Sequence, residues 1–131
     1  MTREPILIVD DNPVNLKLAR VLLAGAGYEV RTAGDADEAL DVLNTFRPKL
    51  ILMDIQLPGM DGLTLTRQLK SDPGTRDIIV VALTAYAMKG DDEKARASCC
   101  TGYITKPLDT RSFADDVARH IDAGSGVSRA A

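Results

Sequence analysis

The chain has 131 residues, of which 45% are hydrophobic and 27% charged, a size and balance that fit one globular domain with a core of its own. Aromatic residues are only 4% and tryptophan is absent, so the core has to be aliphatic. The net charge of −3 without a basic stripe speaks against direct nucleic-acid binding; no apolar stretch is long enough to span a bilayer, and Met1-Thr2-Arg3-Glu4-Pro5 lacks the apolar segment of a signal peptide, so a cytoplasmic location is expected.

Ile6–Val9 is continuously apolar, the pattern of a strand buried on both faces of a parallel sheet, and it ends in two acids, Asp10 and Asp11. Asn12 is placed to cap a helix with Pro13 in the first helical position, where its missing N–H does no harm. Val14, Leu18, Val21 and Leu22 give that helix an apolar face, and Gly25 and Gly27 stop it. Tyr28-Glu29-Val30-Arg31-Thr32 alternates and predicts an edge strand. Ala36, Ala39, Leu40 and Leu43 predict a second helix, closed by Pro48. Leu50–Met53 is a second buried run and ends in Asp54. Leu65 and Leu69 mark a third helix that stops near Asp72-Pro73-Gly74. Ile78–Leu83 is a third run and ends in Thr84.

The helix predicted over 87–98 has a thin apolar face of Met88, Ala95 and Cys99, set among Lys89, Asp91, Asp92, Glu93, Lys94 and Arg96. Weakly anchored elements open at low cost and are where switching occurs. Gly102-Tyr103-Ile104-Thr105 is short and half polar, an opposite edge strand, followed by Lys106-Pro107. Phe113, Val117 and Ile121 predict the last helix, and residues 123–131 are small and flexible in composition. These elements predict five strand–helix units, a doubly wound α/β domain over residues 1–122 with a flexible tail at 123–131. The two cysteines, Cys99 and Cys100, are adjacent and cannot staple distant segments; with a single histidine, His120, they are too few for a zinc site. They read as reduced thiols, and His120 as structural.

In open parallel sheets ligands bind beyond the carboxyl ends of the strands. An acid pair, a single acid, a hydroxyl and a lysine stand at four such ends. Clustered carboxylates repel one another unless a cation neutralises them, and an all-oxygen, open site suits Mg²⁺. Helix capping would account for one of Asp10 and Asp11 and leave the other idle. Asp54 is then positioned to attack a phosphoryl donor, aspartyl phosphate being an established covalent class, with Lys106 as a second positive charge and Thr84 as a short hydroxyl donor.

Ile8-Val9-Asp10-Asp11-Asn12, Leu52 through Gly62, Leu83-Thr84-Ala85 and Tyr103-Ile104-Thr105-Lys106-Pro107 resemble the receiver domains of bacterial two-component response regulators. The four motifs occur in the family's order, and the resemblance covers residues 5 to 122. Within the family, Asp54-Ile55-Gln56-Leu57-Pro58 and the segment Thr84 through Asp91 are most similar to single-domain regulators of the DivK cell-cycle type, and also to receivers attached to hybrid kinases. The resemblance implies a flavodoxin-like (βα)5 fold with a five-stranded parallel sheet in the order 2-1-3-4-5. It implies a signalling switch that catalyses only its own phosphorylation and dephosphorylation. Asp54 would accept the phosphoryl group from a sensor histidine kinase or histidine phosphotransfer protein. Asp10, Asp11, Asp54 and the backbone carbonyl of Gln56 would hold Mg²⁺, with Mn²⁺ as a substitute. Thr84 and Lys106 would contact the phosphoryl oxygens, Tyr103 would be the switch aromatic, and the bond before Pro107 would be cis. A downstream protein target is implied, and a phosphorylation-dependent homodimer is allowed. Gln56 and Tyr86 would flank the approach of a hydrolytic water; neither is an acid, so a long-lived phosphate is expected. One departure is Ser98, where relatives commonly carry glycine; a left-handed helix end there would cost on the order of 1 kcal/mol.

Three rivals fit less well. A haloacid-dehalogenase-type phosphatase needs a second acid two residues after its nucleophile, and position 56 is Gln. A flavodoxin-type flavin binder needs a Ser/Thr/Gly phosphate loop after the first strand, where this chain has Asp10-Asp11-Asn12-Pro13. A phosphorylation-independent pseudo-receiver would lack one or more of the site residues, and all are filled.

Overall fold

The computed structural model describes the backbone of residues 4–54, 62–84, 102–105 and 110–130, and the side chains of these apart from 62–63, 84, 102–105 and 122–130. The apolar runs form five parallel strands: β1 (Pro5–Val9), β2 (Glu29–Ala33), β3 (Leu50–Asp54), β4 (Ile79–Thr84) and β5 (Gly102–Thr105). Their order in the sheet is β2-β1-β3-β4-β5, with the alternating segment and the short half-polar segment at the two edges, as expected. Helices α1 (Pro13–Gly25), α2 (Ala36–Leu43), α3 (Gly62–Ser71) and α4 (Phe113–Ala130) complete the described elements. The helix predicted over 87–98 lies outside the described residues, as do Ser98, Cys99 and Cys100.

Because successive strand residues face opposite ways, the sheet divides the core into two layers. Ile6, Ile8, Leu50, Leu52, Ile79, Val81 and Leu83 pack against Ala19 and Leu23 of α1 and Phe113, Val117 and Ile121 of α4. Leu7, Val9, Ile51, Met53 and Val80 pack on the other face against Ala36, Ala39 and Leu43 of α2 and Leu65 and Leu69 of α3. β3 is buried along its whole length, which is why its sequence shows no polar alternation. Each Val, Leu, Ile, Met or Phe among them stabilises the fold by about 1.5–3 kcal/mol relative to exposure.

α1 begins as its sequence dictates. Asn12 is the N-cap and its side chain accepts from the N–H groups of Val14 (2.9 Å) and Asn15 (3.4 Å), with Pro13 in the first turn. It ends at Gly27, whose φ of 99° is the left-handed conformation glycine adopts freely. Gly27 N–H donates to the Ala24 carbonyl and Tyr28 N–H to that of Leu23, each at 3.1 Å. That double bond pattern closes the helix, and Tyr28 packs on the cluster that contains Leu23.

Between these ends the apolar face is rotated from the one predicted, of which Leu22 packs against the core. Ala19 and Leu23 are buried, whereas Val14 and Val21 are 72% and 56% exposed. Positions 14, 16, 18, 19, 21, 22, 23 and 24 are all apolar, so two overlapping stripes satisfy the helical period, and packing against the sheet and α4 selects the one through Leu16, Ala19 and Leu23. α4 also differs. Its backbone stays helical through 123–130, where a flexible tail was expected. Once Phe113, Val117 and Ile121 anchor the helix, each further residue adds one bond, and Gly124 and Gly126 oppose it by only about 1 kcal/mol each. Among the described residues no helix is long and apolar enough to cross a membrane.

Two expectations follow from this packing. Leu23→Ala should lower the unfolding free energy in urea by roughly 2–5 kcal/mol, and Val21→Ala by less than about 0.5 kcal/mol; the opposite order would restore the predicted face. His120, half-buried on α4, has its pKa held below the ordinary 6.5 by burial, with Asp116 raising and Arg119 lowering it to lesser extents. The folded state therefore favours the neutral ring. Its contribution to stability is complete above about pH 6.5 and is lost as the pH falls through the folded value, because the unfolded chain takes up the proton first. Replacing it, His120→Gln, should flatten the stability profile below pH 6.5 in urea melts; parallel profiles for the two proteins would contradict this.

Candidate functional site

Parallel strands present their carboxyl ends on a common edge, and the register sets their level. Val9 lies opposite both Ala33 and Met53, Asp54 opposite Leu83, and Thr84 opposite Thr105. The residue after β1 is Asp10, the last of β3 is Asp54, the last of β4 is Thr84, and the residue following β5 in sequence is Lys106. The topology therefore brings the four predicted strand ends together, with Asp10 and Asp54 on adjacent strands.

Asp10, Asp11 and Asp54 each place a carboxylate oxygen within 4.8 Å of the other two. Asp10 and Asp54 are 1% and 4% exposed, whereas Asp11 is open to solvent. Asp10 is fixed at two points: its N–H donates to the Ala33 carbonyl (3.0 Å), and its Oδ1 accepts from Asn12 N–H (2.9 Å). Asn12 thus serves twice, orienting one acid with its backbone and capping α1 with its side chain. Three ionised oxygens at this separation repel, and two of them have little water to screen the repulsion. A divalent cation resolves that conflict, and the all-oxygen donor set is the kind Mg²⁺ takes.

Other predicted residues are placed less completely. Thr84 and Tyr103 lie in β4 and β5, Tyr103 opposite Ala82, with side chains outside the described set; Gln56, Tyr86, Lys106 and Pro107 lie outside it altogether. His120 is on α4 and is not part of the acid cluster. Two residues escaped the sequence reading. Asp35 caps α2 by accepting from Glu38 N–H (2.8 Å), and Glu38 Oε1 accepts from Gly34 N–H (2.8 Å). The signal was present as an acid followed three positions later by Glu at the start of an apolar-periodic segment.

Comparison with known proteins agrees with this geometry. The family model described as response regulator receiver domain matches residues 6–118. The polar-differentiation response regulator DivK of Brucella anthropi is 45% identical over 116 residues, 88% of this chain and 94% of that one. Among solved structures, the chemotaxis response regulator CheY4 of Vibrio cholerae superposes with a TM-score of 0.85 at 26% identity, over 91% of this chain and 99% of that one. The receiver domain of a sensor histidine kinase from Pseudomonas aeruginosa, with a magnesium ion coordinated in its active-site cleft, superposes at 0.82 with 32% identity over 92% and 99% of the two chains.

The crowding of charge is itself testable. In EDTA, Asp11→Asn should raise the unfolding free energy by on the order of 1 kcal/mol, since it relieves two like-charge contacts. Added Mg²⁺ should then raise the Tm of the parent more than that of the variant. Thermal unfolding with and without the metal checks both; a variant no more stable than the parent in EDTA would show that the acids do not strain one another.

Proposed function

The chain belongs to the response regulator receiver family, a phosphorylation-dependent signalling switch of DivK-like sequence, and on that premise we propose that Asp54 is its phosphoacceptor. The observation that carries this reading is the buried Asp54 carboxylate at the end of β3, held within 4.8 Å of the oxygens of Asp10 and Asp11.

Asp54 attacks the phosphorus of a phosphohistidine on a sensor histidine kinase or histidine phosphotransfer protein, and the bond to the histidine nitrogen breaks as the new one forms. Asp10, Asp11, Asp54 and the Gln56 backbone carbonyl would hold Mg²⁺, or Mn²⁺ in its place; the ion supplies positive charge to the carboxylates and to the transferring oxygens. Asp10, with one oxygen committed to Asn12 N–H, orients and does not accept phosphate. Lys106 adds a second positive charge, and the Thr84 hydroxyl donates to a phosphoryl oxygen. Movement of Thr84 toward the phosphate lets Tyr103 turn inward, and the segment 87–98, β5 and α4 form the face a downstream protein reads. The receiver unit would run to about residue 122, taking in the buried Ile121 of α4. The 45% identity to DivK, over 94% of that protein's length, supports signalling of the DivK type; the alternative is a receiver module of a hybrid kinase.

Incubation with acetyl phosphate and Mg²⁺ should add a single phosphoryl group, seen by intact-protein mass spectrometry, and Asp54→Asn or excess EDTA should abolish it. Labelling at another residue, or undiminished labelling in EDTA, would refute the assignment.

A further inference from the structure

One peptide group ties the start of α2 to the buried acid Asp10. The amide between Ala33 and Gly34 accepts at its carbonyl from Asp10 N–H (3.0 Å) and donates from its N–H to Glu38 Oε1 (2.8 Å). Glu38 is held in turn, because its own N–H donates to Asp35 Oδ1 (2.8 Å) and Ala39 N–H donates to the Asp35 carbonyl (3.0 Å). In a capping box the glutamate in the third helical position returns to the N–H of the N-cap residue itself. Here it reaches one residue further, to Gly34, which is outside α2 and directly follows β2. The donors of α2 do not require that bond.

Its effect falls on β1. A charged acceptor on the N–H of an amide forms a short, strong hydrogen bond and polarises the amide, which makes its carbonyl a better acceptor. The carbonyl concerned is the one that holds Asp10. Beyond Asp10 the run continues through Oδ1 to Asn12 N–H (2.9 Å), and from the Asn12 side chain to Val14 N–H (2.9 Å). One series of bonds thus joins the caps of two helices and passes through the most buried acid of the cluster.

We infer that Glu38 is a positioning residue for the divalent-cation site: through the Ala33–Gly34 amide it fixes the backbone of Asp10, and with it the buried carboxylate, without touching the ion. This rests on the Mg²⁺ reading of the acid cluster. A residue that only capped α2 would change the stability of the protein and leave the Mg²⁺ affinity of its folded form unaltered.

Mg²⁺ titration of the full chain, followed by amide NMR, separates the cases. In the parent, Mg²⁺ should shift the amides of Asp10, Asp11 and Asn12; absence of any binding would overturn the Mg²⁺ reading and this inference with it. With binding established, Glu38→Ala should raise the Mg²⁺ Kd about tenfold, the low end of the effect of partners that orient metal ligands. Glu38→Gln, which keeps an acceptor oxygen and loses the charge, should recover most of that affinity. In both variants the amide protons of Gly34 and Asp10 should move upfield together. A parent-like Kd in folded Glu38→Ala, whatever its Tm, would overturn the inference. Should Glu38→Ala not fold, Glu38→Gln decides: paired shifts at Gly34 and Asp10 support the coupling, and a shift at Gly34 alone refutes it.

Discussion

Asp10 and Asp54 are carboxylates almost wholly withdrawn from water, and Asp11 stands within 4.8 Å of both. Withdrawing one ionised group from solvent is unfavourable, and adjacent like charges make it more so. Such a site persists only if the surrounding backbone cannot relax away from it. The three central strands supply that rigidity. Their side chains are buried on both faces, so tilting any strand end outward would open voids in two aliphatic layers at once. The polar edge is therefore held in place by the apolar body behind it.

The order of the strands decides where that edge can act. The chain leaves β1, crosses to β2 on one side, then returns past β1 to lay β3 on its other side. Connections that leave β1 and β3 in opposite directions open a crevice between their carboxyl ends. The acids of those two strands, Asp10 and Asp54, flank it. Of the two, Asp10 is held from both sides, its N–H by the Ala33 carbonyl and its Oδ1 by the Asn12 N–H.

Much of this was legible in the chain because its cause is local. A continuous apolar run that stops at an acid is a buried strand ending at a polar edge, and Ile6–Val9 with Asp10, and Leu50–Met53 with Asp54, needed nothing more. Asn12-Pro13 fixed the start of α1 for an equally local reason. The rotation of α1 was not legible, since eight of its positions between 14 and 24 are apolar and only the sheet and α4 choose among the stripes they offer. The role of Asp35 and Glu38 was not legible either: a capping pattern announces a helix start, but that the amide bonded by Glu38 also takes the Asp10 N–H at its carbonyl is a fact of the β1–β2 pairing. The strand order was reached through resemblance, because periodicity identifies strands and says nothing of their neighbours. The helical backbone of 123–130 runs against its composition, because a helix anchored at Phe113, Val117 and Ile121 extends one bond at a time regardless of weak local propensity.

The division of the core by the sheet has a further consequence for how such a chain tolerates change. Ile6 and Leu7 are neighbours in sequence yet belong to separate layers, and helices on opposite faces of a sheet stand some 20 Å apart, each about 10 Å from it. Substitutions under α1 or α4 and substitutions under α2 or α3 share no side-chain partners, so their energetic effects should add, and coupling between them should be confined to what the strand backbones transmit. Within a layer the opposite holds, since Leu23 and Phe113 fill a common space. The domain is in this sense two nearly independent genetic compartments, free to drift separately in their packing while a single polypeptide wall between them keeps the acids in register.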